Sequence, residues 1–398
     1  MTKSLLLGFS SFAISFAISS TSFAVIPDYK APELMARANG PDSYNLPPMS
    51  FLNSTSPNIN NNGDVSFKLM AVEGENTQAL WINGKVVFRA PEGKVMTEPA
   101  MNDSGLIAVS VFEEASSDGI FVYDMKSDSV ANVLPNQGTD LIAHSYLQVL
   151  KSGEIFFRGT HMGQDHSFYS FDKSLNMIFS EGDDTLGFKA SYLFGPMVNN
   201  RQQMASKIRL GGKMDWDNTF PDQILLLNAD GTHRIVARDQ KSDPQSPFAG
   251  FANSVSLSEN GLVAFVGILK DGSKTLVIDD QGVQTRYATE GQDGVSEIEL
   301  FAPQVNSQGI AIFRAKNSKG LRGIYLADGH EIRRVIGEGD QIPTDMGMGR
   351  ILANPTFPGF GGNVRINERN EIVFYTIMNS AVGNQEWGSG VYKMSPLF

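Results

Sequence analysis

The chain has 398 residues, 41% hydrophobic and 19% charged, with a formal net charge of −11. That composition belongs to a folded globular protein, not to a disordered or collagen-like chain. The absence of cysteine excludes disulfides, zinc–thiolate and iron–sulfur sites, cysteine nucleophiles and a lipid-anchored lipoprotein.

The acidic balance argues against general binding to nucleic acid or anionic membranes, although a local basic patch can still recruit an anion. In chain order, residues 1–24 read as a secretion signal. Lys3 gives a positive start, Leu5 to Ile18 form an apolar run, and Ser22-Phe23-Ala24 supplies a small-x-small cleavage site. The run is short and diluted by Gly and Ser, so a cleaved signal is expected rather than a membrane span. Cleavage after Ala24 leaves residues 25–398 as one domain, secreted or periplasmic.

A unit of the form Asn-x-x-Gly-x-apolar-small-Phe then recurs. It runs Asn60 to Phe67 with Gly63, Asn102 to Val109 with Gly105, and Leu150 to Phe157 with Gly153. The fourth copy, Asn199 to Ser206, has Gln202 at the Gly position. Ser258 to Phe265, Asn306 to Phe313 and Asn367 to Phe374 complete the series, the last with Asn370. Asn60 and Asn367 are about 51 residues apart per step, a blade-sized period. The Asn and Gly suit a turn needing positive φ, and the alternating run behind it reads as a strand. Third strands such as Gly119 to Asp124 and Gly323 to Asp328, each followed by a turn and a fourth strand, fill the interval. Four antiparallel strands repeated seven times predict an all-β, seven-bladed β-propeller.

The last unit ends one strand short after Gly390-Val391-Tyr392-Lys393, and Leu34 to Asp42 resembles an outer strand. The N-terminal segment is therefore expected to complete the last blade and leave no open sheet edge.

In such a blade, the loop before strand one and the loop after strand two open on the same face. His144, His161 and His166 fall there in the third unit, and Tyr192 and Arg209 in the fourth. The chain has five histidines, and these three lie within 23 positions. From Thr185 to Met214 there is no Asp or Glu, while Lys189, Arg201, Lys207, Arg209 and Lys213 are all positive. An anionic ligand would be drawn to that stretch. Trp216, beyond Arg209, is a candidate sugar platform, whereas Trp81 reads as core.

His, Tyr and Arg on one rim suit β-elimination on a uronic acid. The proton beside the sugar carboxylate becomes removable only when the developing enediolate charge is stabilised. Arg209 could bind the carboxylate through its fork, with Tyr192 or His144 removing the proton and a Tyr or His protonating the leaving oxygen. With these residues the chain resembles the secreted seven-bladed propeller polysaccharide lyases that degrade ulvan, a sulfated, uronate-containing polymer. The resemblance implies His144 and Tyr192 at the scissile bond, His166 supporting proton transfer, and Arg209 neutralising the carboxylate. His161 competes with His166 for the second histidine position; the context leading into the third strand favours His166. His161, Lys189, Lys213 and Trp216 would then contact substrate. Some members of that group hold zinc with Cys ligands, which this chain cannot reproduce.

No cofactor and no metal are expected, and the expected partner is an anionic polysaccharide bound by a monomer. A glycoside hydrolase would need two flanking carboxylates, for which Asp183, Asp184, Asp215 and Asp217 are available. A non-catalytic propeller binding an anionic glycan or a protein through the same funnel is the other alternative.

Overall fold

The computed structural model describes residues 25–113, 116–135, 139–354, 356–382 and 385–397. The expected signal segment, 1–24, lies outside the described residues. Seven antiparallel sheets follow one another along the chain, as the repeat count predicts. Blade 3 is the plainest, with strands Leu141–Val149, Ile155–His161, His166–Asp172 and Ser174–Ser180 in sequential order. In blade 4 the first strand is split into Ala190–Leu193 and Met197–Val198, and is followed by Met204–Leu210, Asp222–Leu227 and His233–Arg238.

The repeated turn has a physical reason at each position. Its fourth residue has positive φ in all seven units, from 56° at Gln202 to 95° at Gly261, a region where Gly and Asn meet least resistance. Its first residue ties the turn together: Asn367 Oδ1 accepts from the backbone N–H of Arg369 and Glu371. The same side chain reaches the next blade. Asn60 Nδ2 donates to Asn102 O, Asn102 to Leu150 O, Asn199 to Ser258 O, and Asn306 to Asn367 O. Asn367 Nδ2 closes the circle on Asn60 O at 2.8 Å.

Apolar side chains at period two fill the spaces between blades. Phe156, Phe168, Phe179, Ile208 and Leu225 seal blade 3 to blade 4, while Leu141, Phe157 and Tyr169 face blade 2. Closure follows the expected route: Glu33–Ala38 pairs antiparallel with Glu386–Met394 and becomes the outer strand of blade 7. Arg37, 1% exposed, fixes it through a two-pronged ion pair with Asp345, at 2.7 and 2.8 Å, and through the Trp387 carbonyl. A hairpin of Gln341–Thr344 and Gly347–Ile351 adds to blade 7 through Ile372–Ser380. Among the described residues, no helix is long and apolar enough to cross a membrane.

Candidate active site

Strand alternation divides the predicted rim residues between two sides of blade 3. On Ile155–His161, Phe157 and His161 point toward blade 2 and Arg158 toward blade 4. His166 pairs with Thr160 and therefore shares the side of Arg158.

His144 and His161 consequently belong to the blade 2 side. His144 is 1% exposed; its Nδ1 lies 2.8 Å from Ser117 Oγ and 3.4 Å from Ser110 Oγ, and its ring meets Phe157 edge-on. Burial pushes its pKa down to about 4, so the imidazole is neutral. It sits within the first strand rather than ahead of it. His161 Nδ1 lies 2.9 Å from Asp140 Oδ2, with Ser167 Oγ and Tyr169 OH about its Nε2.

His166, Tyr192 and Trp216 come together on the other side. The His166 and Tyr192 rings meet edge-on at 5.0 Å, and Trp216 lies 6.1 Å from Tyr192 and 6.5 Å from His166. Trp216 is 43% exposed, enough face for a sugar to stack on. His166 Nδ1 is 2.6 Å from Glu181 Oε1, and the Glu181 side chain is 0% exposed. The carboxylate can only accept, so Nδ1 carries the proton and Nε2 is left to exchange one with a ligand. This Glu181–His166 pair escaped the sequence reading because 15 residues and a strand reversal separate its members.

Arg209 is placed directly opposite Tyr192 in the strand register, but its guanidinium is engaged. Nε and Nη2 grip Asp222 at 2.8 and 3.1 Å, and Nη1 donates to the Trp216 carbonyl. Lys207 Nζ also pairs with Asp222 at 3.0 Å and lies 3.9 Å from the Phe194 ring centroid. Burial pulls the Lys207 pKa down while Asp222 pulls it up. Both cations thus share the buried Asp222 carboxylate, and a second buried carboxylate, Asp239, also acts on Lys207.

Arg158 is the residue that sequence reasoning missed. It stands eight residues after its turn position, where Lys68, Lys207 and Arg314 also stand. All four reach a carbonyl of a neighbouring blade: Lys68 to Met96, Arg158 to Leu193, Lys207 to Phe251, Arg314 to Gly362. Lys68 pairs with Glu98, Lys207 with Asp222 and Arg314 with Glu299. Arg158 has no carboxylate partner among the described residues. Its Nη1 is instead 3.4 Å from Tyr192 OH, and its guanidinium lies over the rings of Tyr146 and Tyr192 at 4.9 and 5.8 Å. Tyr146 holds φ at 55° in a bulge between Ser145 and Gln148 and is half exposed. Positive φ at an aromatic residue and a strand bulge both concentrate at working sites. Gly195 is needed opposite it, since a Cβ there would lie 2.4 Å from the Tyr146 ring.

The remaining candidates lie at the margin. Lys189 is exposed, and Lys213 is exposed and paired with Asp165 at 3.0 Å. The acids considered for hydrolysis serve turns: Asp183 accepts from Thr185 N, Asp215 from Gly212 N and Asp217 from Thr219 N. Among the described residues no group of three or more His, Asp or Glu side chains could hold a metal ion.

Comparison with solved structures supports the fold. The β-propeller domain of the Trilobed protease from Pyrococcus furiosus is 15% identical with a TM-score of 0.53, covering 87% of this chain and 97% of that one. The acylaminoacyl peptidase of Pyrococcus horikoshii is 14% identical with a TM-score of 0.53 over 88% of this chain. This chain covers 52% of that enzyme, about half its length. Polysaccharide lyase Uly1 is 10% identical with a TM-score of 0.47, covering 98% of this chain and 92% of that one. No curated protein matches the chain. A family profile does match, over residues 30–292 and again over 152–396, and the chain belongs to that family, DUF7453, a family of unknown function.

Proposed function

We propose that the cleft between blades 3 and 4 binds a uronate-bearing anionic polysaccharide, ulvan being the first candidate, and cleaves it by β-elimination. The observation that carries this reading is the juxtaposition of a carboxylate-oriented histidine, a tyrosine hydroxyl and an arginine without a carboxylate. Arg158 takes the uronate carboxylate and stabilises the enediolate that forms when the C5 proton leaves. Tyr192 and His166 are the proton-transfer pair. One removes the C5 proton, the C4–O bond breaks as the C4=C5 double bond forms, and the other protonates the departing oxygen. The uronate epimer decides which does which. Trp216 stacks a neighbouring sugar. Arg209, Lys207 and Asp222 hold the floor of the cleft, and His144 positions blade 3 from behind.

The test is ultraviolet absorbance during incubation with ulvan, alginate, pectin and glycosaminoglycans. A rise at the band of an unsaturated uronate, abolished in Tyr192→Phe, is the expected result. A second reading, binding without cleavage, draws support from the engagement of Arg209 by Asp222. It predicts polymer binding that Arg158→Met weakens, with neither an absorbance rise nor new reducing ends.

A further inference from the structure

The repeated turns ring the channel at the end away from the Arg158 cleft. They border an open polar cavity of about 190 Å³ lined by residues of all seven blades. Asn58, Gln148 and Gln304 lie on its wall, each two residues before its turn. Blade 7 has Arg365 at that position.

The Arg365 side chain, partly exposed, forms no hydrogen bond or ion pair among the described residues, and its Nε is buried without a partner. Burial pulls its pKa below the ordinary guanidinium value, and Glu98 is the one carboxylate that pulls the other way. Glu98 is committed elsewhere. It lies 3.4 Å from Lys68 Nζ and accepts from Thr55 Oγ1 and Ser56 N. The acids at the mouth are also engaged: Asp103 by Asn61, Glu259 by Asn200, and Glu368 by Ser307. A guanidinium whose Nε is buried without a partner, and whose one attracting carboxylate is held by Lys68, is costly unless a further anion compensates it. The wall groups around it are neutral amides, whose NH₂ ends donate to anions. The cavity has room for an ion and a few waters, each water taking about 30 Å³.

We infer that the central channel binds one small monovalent anion of the halide class at the Arg365 guanidinium. A single positive charge matches a single negative one, and the carboxylates at the mouth disfavour multiply charged ions. This inference is independent of the catalytic reading.

Bromide is the probe. Crystals of the mature protein soaked in bromide should give an anomalous peak in the channel beside Arg365; peaks confined to the outer surface would overturn the inference. In solution, replacing gluconate by bromide at constant ionic strength should raise the melting midpoint and reach a plateau. Arg365→Met should lose that rise. An equal rise in both proteins would also sink the proposal, and the soak remains decisive should the variant fail to fold.

Discussion

Arg158→Met separates the functional cation of the cleft from the structural one. Methionine keeps much of the apolar stem and loses the guanidinium, with its 2.9 Å bond to Leu193 O and its 3.4 Å approach to Tyr192 OH. Losing its bonds to Leu193 O and Ser145 Oγ costs about 1–3 kcal/mol of stability, so the protein should stay folded. A bond between guanidinium and substrate carboxylate contributes about 1.5–3 kcal/mol, which at 1.4 kcal/mol per decade is roughly 10- to 150-fold in affinity. Arg209→Met should behave differently. It leaves Asp222, whose side chain is 7% exposed, with Lys207 alone, and breaking such a buried pair costs about 3–5 kcal/mol. Calorimetric titration with a uronate oligosaccharide, beside urea unfolding, reads both effects. The assignment of Arg158 fails if a folded Arg158→Met protein binds the oligosaccharide as tightly as the unaltered protein.

Three other predictions follow from the same geometry. Tyr192→Phe preserves the ring contacts with His166 and Trp216 but removes the hydroxyl; binding should hold while turnover falls about 10²- to 10⁴-fold in the absorbance assay. His144 is depressed from 6.5 to about 4 in the fold, so the unfolded chain takes up its proton first. Stability from this residue is complete above pH 6.5 and falls by up to about 3 kcal/mol toward pH 4, at 1.36 kcal/mol per pH unit. Urea midpoints across that range should show the loss, and His144→Gln should flatten it. Asn367→Ala removes donations to Asn60 O and Glu371 Oε2 and acceptances from Arg369 and Glu371. At about 0.5–1.5 kcal/mol each, a loss of roughly 2–6 kcal/mol is expected on denaturant unfolding. A loss under about 1 kcal/mol would mean that the turn ring adds little to closure.

The repeat made the architecture legible. Turn chemistry is local: a residue that must take positive φ and an Asn that caps its own turn leave the same letters in every unit, from Asn60-x-x-Gly63 to Asn367-x-x-Asn370. Ring closure by Leu34 to Ala38 was legible for a similar reason, since an outer strand repeats its pattern wherever it falls. The composition of the cleft was partly legible too. His166, Tyr192 and Trp216 meet around one gap between blades, but His166, Tyr192 and Arg209 lie within strands rather than in the loops expected for them.

Only the tertiary structure decided which groups meet across that gap. Period-two alternation sends His161 and His166 to opposite sides of blade 3, and a bulge at Tyr146 offsets the strand carrying His144, so spacing alone could not sort the histidines. Charge counts gave Arg209 and Lys207 as cations, but Asp222, 13 residues beyond Arg209, neutralises part of that charge through the sheet register. Arg158 stands at a recurring cation position that sequence reasoning passed over. Its difference from Lys68, Lys207 and Arg314 is a missing carboxylate, and that depends on what the adjoining strands bring alongside. Local conformation is written in neighbouring residues, whereas charge compensation is settled between residues that meet only when the blades close.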